Sequence, residues 1–121
     1  MTAAVSADSG ALTLLSGVNG VPDPSYLALA PGAATLYAVS ETTEGAVAAY
    51  RVAGDRLERA GAPVPVDGDG PTHLGLFAGH VLTANYGSGS VTAVPVRPDG
   101  TLADAPSGVR VPAHLAEPPR L

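Results

Sequence analysis

A chain of 121 residues has room for one domain at most. A content of 45% hydrophobic and 14% charged residues is that of a globular protein, and no apolar run is long enough to cross a membrane. The net charge of −5, with six scattered arginines and no lysine, excludes a nucleic-acid face, which needs clustered cations. No cysteine is present, so there is neither a disulfide framework nor a thiolate metal site, which fits a cytoplasmic protein.

Short β-like runs follow one another along the chain, and no helical period of useful length interrupts them. The N-terminus lacks the basic and apolar regions of a secretory signal. Gly10-Ala11-Leu12-Thr13-Leu14-Leu15 reads as an outermost strand, so residues 1–22 are expected to be the remnant of a sheet. Tyr26–Leu29, Leu36–Val39 and Ala46–Val52 follow as three strands, with turn signals at Pro31-Gly32, Gly45 and Gly54-Asp55. Leu57–Val66 completes the set, and Pro63 and Pro65 mark it as an edge strand, where a missing N–H is tolerated. Asp67-Gly68-Asp69-Gly70 closes the unit; it lacks the further acidic ligands of a calcium loop and reads as a turn.

The unit then repeats. Pro24-Ser25-Tyr26-Leu27-Ala28-Leu29 matches Pro71-Thr72-His73-Leu74-Gly75-Leu76 at an offset of 47, from Pro24 to Pro71. Gly45-Ala46-Val47-Ala48-Ala49 matches Gly89-Ser90-Val91-Thr92-Ala93 at an offset of 44, from Gly45 to Gly89. Four strands in about 45 residues is the size of one propeller blade. The expected fold is therefore all-β, a partial β-propeller of about two and a half four-stranded antiparallel blades. Residues 23–70 form one complete blade, 71–110 a second whose outer strand is undefined, and 111–121 a Pro-rich tail expected to be disordered. Repeats bury their apolar faces against neighbours, so the open flanks of such an arc invite self-association.

With the repeat in place, Pro24–Leu29, Leu36–Glu41, Gly70-Pro71-Thr72-His73-Leu74 and above all Ala84-Asn85-Tyr86-Gly87-Ser88-Gly89-Ser90-Val91 resemble the lactonase family of seven-bladed propellers. That family includes bacterial 6-phosphogluconolactonases and carboxymuconate-cyclising enzymes. The sequence departs from the family pattern at Ser40, where Asn is usual, and at the C-terminal end, where only Pro112 and His114 echo a Pro-His-x-His segment. The resemblance implies a fragment of an enzyme that hydrolyses a sugar lactone such as 6-phosphogluconolactone to its acid. No metal or other cofactor is implied, the partner is a small-molecule lactone, and the fragment alone is expected to have little or no activity. The alternatives are a non-catalytic binding module and a truncated gene product without function.

Blade topology indicates which side chains meet. With strands lettered A to D from the channel outward, the start of A and the end of B share one edge. Tyr26 and His73 stand at A starts; Glu41, Asn85 and Tyr86 stand at B ends. Lactone hydrolysis needs a base for water and a donor for the developing oxyanion. Glu41 is the candidate base, given apolar surroundings that raise its pKa, and His73 shares that role or donates. Asn85, Tyr86 and Tyr26 are candidate substrate contacts. Each has a plainer reading: a solvated loop acid for Glu41, a structural imidazole for His73, turn chemistry for Asn85. Gly87-Ser88-Gly89-Ser90 resembles a phosphate cradle, but a strand and not a helix follows it, so it reads as the loop between B and C.

Overall fold

A computed structural model describes residues 1–18, 20–32, 34–104 and 106–110. The tail expected at 111–121 lies outside the described residues. Among the described residues eleven strands make up the regular structure, all their pairings antiparallel. Among the described residues no helix is long and apolar enough to cross a membrane.

The first blade contains β3 (Leu27–Leu29), β4 (Thr35–Ser40), β5 (Ala46–Ala53), β6 (Arg56–Arg59) and β7 (Val64–Pro65). They lie in the order β3-β4-β5-β6, with β7 also paired to β5. The second blade contains β8 (Pro71–Phe77), β9 (His80–Asn85), β10 (Ser90–Pro95) and β11 (Ser107–Arg110), in the order β11-β10-β9-β8. Each is a meander of neighbouring strands, and the protein is a partial β-propeller. β1 (Thr2–Val5) and β2 (Leu12–Ser16) form a separate antiparallel pair. The sequence reading gave only the second of these two strands. The pair is tethered to the first blade where the Thr2 and Ser16 hydroxyls donate to the Asp55 carbonyl in the β5–β6 turn.

The outermost strand is in two pieces in both blades. β6 pairs with the end of β5 through Leu57↔Val52, and β7 with its start through Val64↔Val47. In the second blade a single bridge, Val96↔Leu102, replaces β6, and β11 takes the place of β7 through Val109↔Val91. The sequence reading ran Leu57–Val66 as one strand; Gly61, at φ 87°, and Pro63 break it. The links into the inner strands also correspond. Glu41 N–H donates to Asp23 O at 3.0 Å, and Tyr86 N–H donates to Gly70 O at 3.0 Å. Both acceptor residues hold a left-handed backbone, Asp23 at φ 48° and Gly70 at φ 61°. Asp is among the few side chains that tolerate that region.

Alternation along the strands directs side chains to two flanks, and the flanks between blades form the core. Tyr37, Val39, Val47, Ala49, Val64 and Val66 of the first blade pack on Leu74, Val81, Val94 and Leu102 of the second. The Tyr37 hydroxyl crosses that junction to donate to Gly100 O at 2.7 Å. Burial, with Asp99 adding to it, raises the Tyr37 phenol above its ordinary pKa. The other flank of the first blade buries Ala38, Ala48 and Tyr50 beneath Val21.

Candidate functional site

β3 and β8 start, and β4 and β9 end, at the same edge of the two sheets, because neighbouring strands within each blade are antiparallel. This edge is the rim, and every candidate from the sequence lies on or just beneath it. Tyr26 precedes β3, and His73 is the third residue of β8. Their rings touch across the blade junction, with centroids 4.3 Å apart and planes tilted by 47°. Glu41 and Tyr86 follow the last residues of β4 and β9. Tyr86 is anchored by its backbone alone and leaves its ring 85% exposed.

Glu41 is exposed, and among the described residues no apolar wall surrounds it. It borders an open depression of about 400 Å³ lined by Asp23, Pro24, Ser25 and Glu41. The Ser25 hydroxyl donates to Glu41 Oε1 at 2.7 Å, while the Glu41 amide is held by Asp23 O. The Ser40 hydroxyl adds a third tie, donating to Pro22 O at 2.5 Å. The segment 22–25 thus wraps the end of β4, fixing one carboxylate oxygen and leaving the other toward solvent. Sequence reasoning missed Ser25. Its signal was the repeat itself, where Ser25 occupies the position of Thr72 beside the rim-pointing residue.

Asn85 belongs to the interior and not to the rim surface. It is 1% exposed. Its Oδ1 accepts from the Thr83 hydroxyl at 3.0 Å, and its Nδ2 donates to Ser90 Oγ at 3.0 Å and Thr92 Oγ1 at 2.9 Å. Thr92 Oγ1 in turn donates to Val66 O at 2.6 Å, which carries the network into the first blade. Through these bonds the buried Asn85 amide ties the blade junction together. The turn chemistry expected of it falls to Gly87, whose N–H donates to Asp69 O at 2.9 Å.

Among the described residues no hydrogen bond joins Glu41 to His73, so the rim contains two separate pairs, Ser25–Glu41 and Tyr26–His73. No group of three metal-ligating side chains occurs among the described residues. His80 lies at the opposite edge, at the start of β9, with Nδ1 bonded to Ala78 O at 2.8 Å.

The fold is matched by proteins of known structure. A protein of Bacteroides uniformis provisionally described as a 6-phosphogluconolactonase is 31% identical, with a TM-score of 0.77 over 85% of this chain and 31% of its own. A similarly described protein of Bacteroides fragilis is 29% identical, with a TM-score of 0.74 over 79% of this chain and 28% of its own. A periplasmic gluconolactonase of Pseudomonas aeruginosa is 31% identical, with a TM-score of 0.76 over 84% of this chain and 31% of its own. The chain therefore spans about a third of the length of these relatives. Among curated proteins none matches. The model of the lactonase family, described as a 7-bladed beta-propeller, matches residues 1–120, and the chain belongs to that family.

Proposed function

We propose that this chain supplies one arc of the active-site rim of a sugar-lactone hydrolase and, by itself, turns over weakly or not at all. The observation that carries the reading is the Ser25–Glu41 pair beside the Tyr26–His73 contact, on one edge of a lactonase-family propeller. Glu41 takes a proton from water as its oxygen bonds to the lactone carbonyl carbon. His73 donates to the carbonyl oxygen as negative charge gathers there. The ring C–O bond then breaks, the proton passes to the departing ring oxygen, and the open-chain acid is released. Ser25 keeps the carboxylate in place, while Tyr26 and Tyr86 offer aromatic surface to the sugar.

The three structural relatives are described as acting on 6-phosphogluconolactone or gluconolactone, and a lactone of that kind is the substrate class proposed for the complete protein. A cytoplasmic setting completes the reading. The Pseudomonas relative is periplasmic, so cell fractionation is the test of that part.

The catalytic reading is tested by grafting residues 23–110 in place of the corresponding two blades of the Bacteroides uniformis relative. In a chimera whose circular dichroism matches the parent, Glu41→Gln is expected to lower lactone turnover about 100-fold, within the range for a general base. The isolated chain is expected to stay near the spontaneous rate. A Glu41→Gln chimera as active as its parent removes Glu41 from the chemistry.

A further inference from the structure

The candidate base and acid stand on different blades, Glu41 after the end of β4 and His73 on β8. Both side chains are exposed. An exposed side chain samples several staggered rotamers, whereas acid–base chemistry needs its groups held to within about 0.5 Å. One segment of the chain reaches both. Residues 22–26 are tied to the end of β4 by a ladder of bonds. Pro22 O accepts from the Ser40 hydroxyl at 2.5 Å, and the Ser25 hydroxyl donates to Glu41 Oε1 at 2.7 Å. Asp23 O accepts from the Glu41 amide at 3.0 Å, and Tyr26 O from the Val39 amide at 3.1 Å. Asp23, within this clamp, takes a left-handed backbone at φ 48°.

Beyond the clamp the chain enters β3, where Leu27 pairs with Ala38. The Tyr26 backbone is therefore pinned on both sides, and its ring leaves a fixed base. That ring, 37% exposed, crosses the junction to the His73 imidazole, with centroids 4.3 Å apart and planes tilted by 47°. Aromatic rings attract in offset and tilted arrangements, so the contact narrows the rotamers open to the imidazole. The second blade prepares its side of the contact. β8 pairs Pro71 with Asn85 and then His73 with Ala84, which leaves Thr72 as an extra residue. Such bulges bend a strand and re-aim the side chains beside it. His73 comes directly after this one.

We propose that Tyr26 is a positioning residue whose ring orients the His73 imidazole. The Ser25–Tyr26 dipeptide, holding Glu41 on one side and His73 on the other, then registers base and acid across the blade junction. The proposal rests on the lactonase reading and gives Tyr26 a task within the protein besides its sugar-facing surface.

The test has a structural arm and a kinetic one. In the full chain, NMR is expected to show cross-relaxation between the Tyr26 and His73 rings, preserved in Tyr26→Phe. In Tyr26→Ala the His73 ring protons should lose their ring-current displacement while the β8 amide signals stay in place. No ring-to-ring signal in the parent, or His73 ring protons unmoved by Tyr26→Ala, overturns the positioning. The kinetic arm places the full chain in the Bacteroides uniformis relative, in exchange for the segment that it matches. There Tyr26→Ala is expected to lower kcat about tenfold with a smaller change in KM, and Tyr26→Phe to keep the parent rate. In a His73→Ala background, Tyr26→Ala should cost nothing further, because the two residues act as a unit. A loss that adds in full to that of His73→Ala, or that falls on KM alone, overturns the proposal and leaves the lactonase reading standing. A His73→Ala chimera as active as its parent removes the role of His73 itself, and the proposal falls with it.

Discussion

The two flanks of the second blade differ in what covers them, although their strands are the same. Toward the first blade, Leu74, Val81 and Val94 are buried and the Thr83–Asn85–Ser90–Thr92 network is bonded throughout. On the far flank, alternation places Leu82, Ala84, Val91 and Ala93, and nothing among the described residues covers them; Val91 is 43% exposed. The repeat shows what that second surface is. Leu82, Ala84, Val91 and Ala93 stand where the first blade has Tyr37, Val39, Val47 and Ala49, all of them buried at the junction. Blade flanks are thus interchangeable in character, and burial is what turns one into a source of stability.

Substitutions on the two flanks should separate accordingly in urea unfolding. The largest loss is expected from Leu74→Ala, at 2% exposure, costing about 2–5 kcal/mol through lost transfer energy and the cavity left behind. Asn85→Ala, which leaves the buried Thr83 hydroxyl without its acceptor and removes the bonds to Ser90 and Thr92, should cost about 1–3 kcal/mol. A similar loss, about 1–3 kcal/mol, is expected for Gly45→Ala, because a Cβ there would lie 2.4 Å from Pro71 Cδ and 2.9 Å from Gly68 O. Gly75→Ala, which meets nothing within 4 Å on the far flank, is its control and should unfold within about 0.5 kcal/mol of the parent.

Tyr37→Phe removes the bond to Gly100 and should cost about 1 kcal/mol at neutral pH. It also changes the pH response. The folded state holds the phenol protonated above the pH at which the unfolded chain releases it. Stability should therefore be whole below about pH 10 and fall as pH rises beyond it, a slope that the Phe variant lacks. The smallest effect on stability, within about 0.5 kcal/mol, is expected for Val91→Lys on the open flank. In the same protein, the concentration dependence of sedimentation should weaken if that flank mediates the self-association expected from the sequence. A dependence that stays unchanged would place the association elsewhere.

The blades were legible because the repeat announces itself in Pro24/Pro71, Leu27/Leu74 and Gly45/Gly89, and four strands per repeat leave few architectures. The site was legible only as an edge. That Tyr26 and His73 share it follows from the repeat, but their ring contact depends on how two sheets lean together. Ser25 was hidden because a single serine carries no signal until the chain folds back on Glu41. Asn85 showed the opposite difficulty. Thr83 and Asn85 alternate with Ser90 and Thr92 on one face, which the sequence displays, but that this face meets a neighbour is a tertiary fact. The N-terminal strand β1 escaped notice because it has no partner copy within the chain against which to recognise it.

The interruption of the outermost strand, at 60–63 in the first blade, has a bearing on how such repeats vary. Gly61 is exposed, and a Cβ added there would meet nothing within 4 Å. It sits at the periphery, the full width of the sheet away from Tyr26, His73 and Glu41. Extra residues inserted there would lengthen a surface loop and leave the inner three strands in register. The joint is thus a natural place for length to change among relatives, for a protease to nick, or for a tag to be grafted.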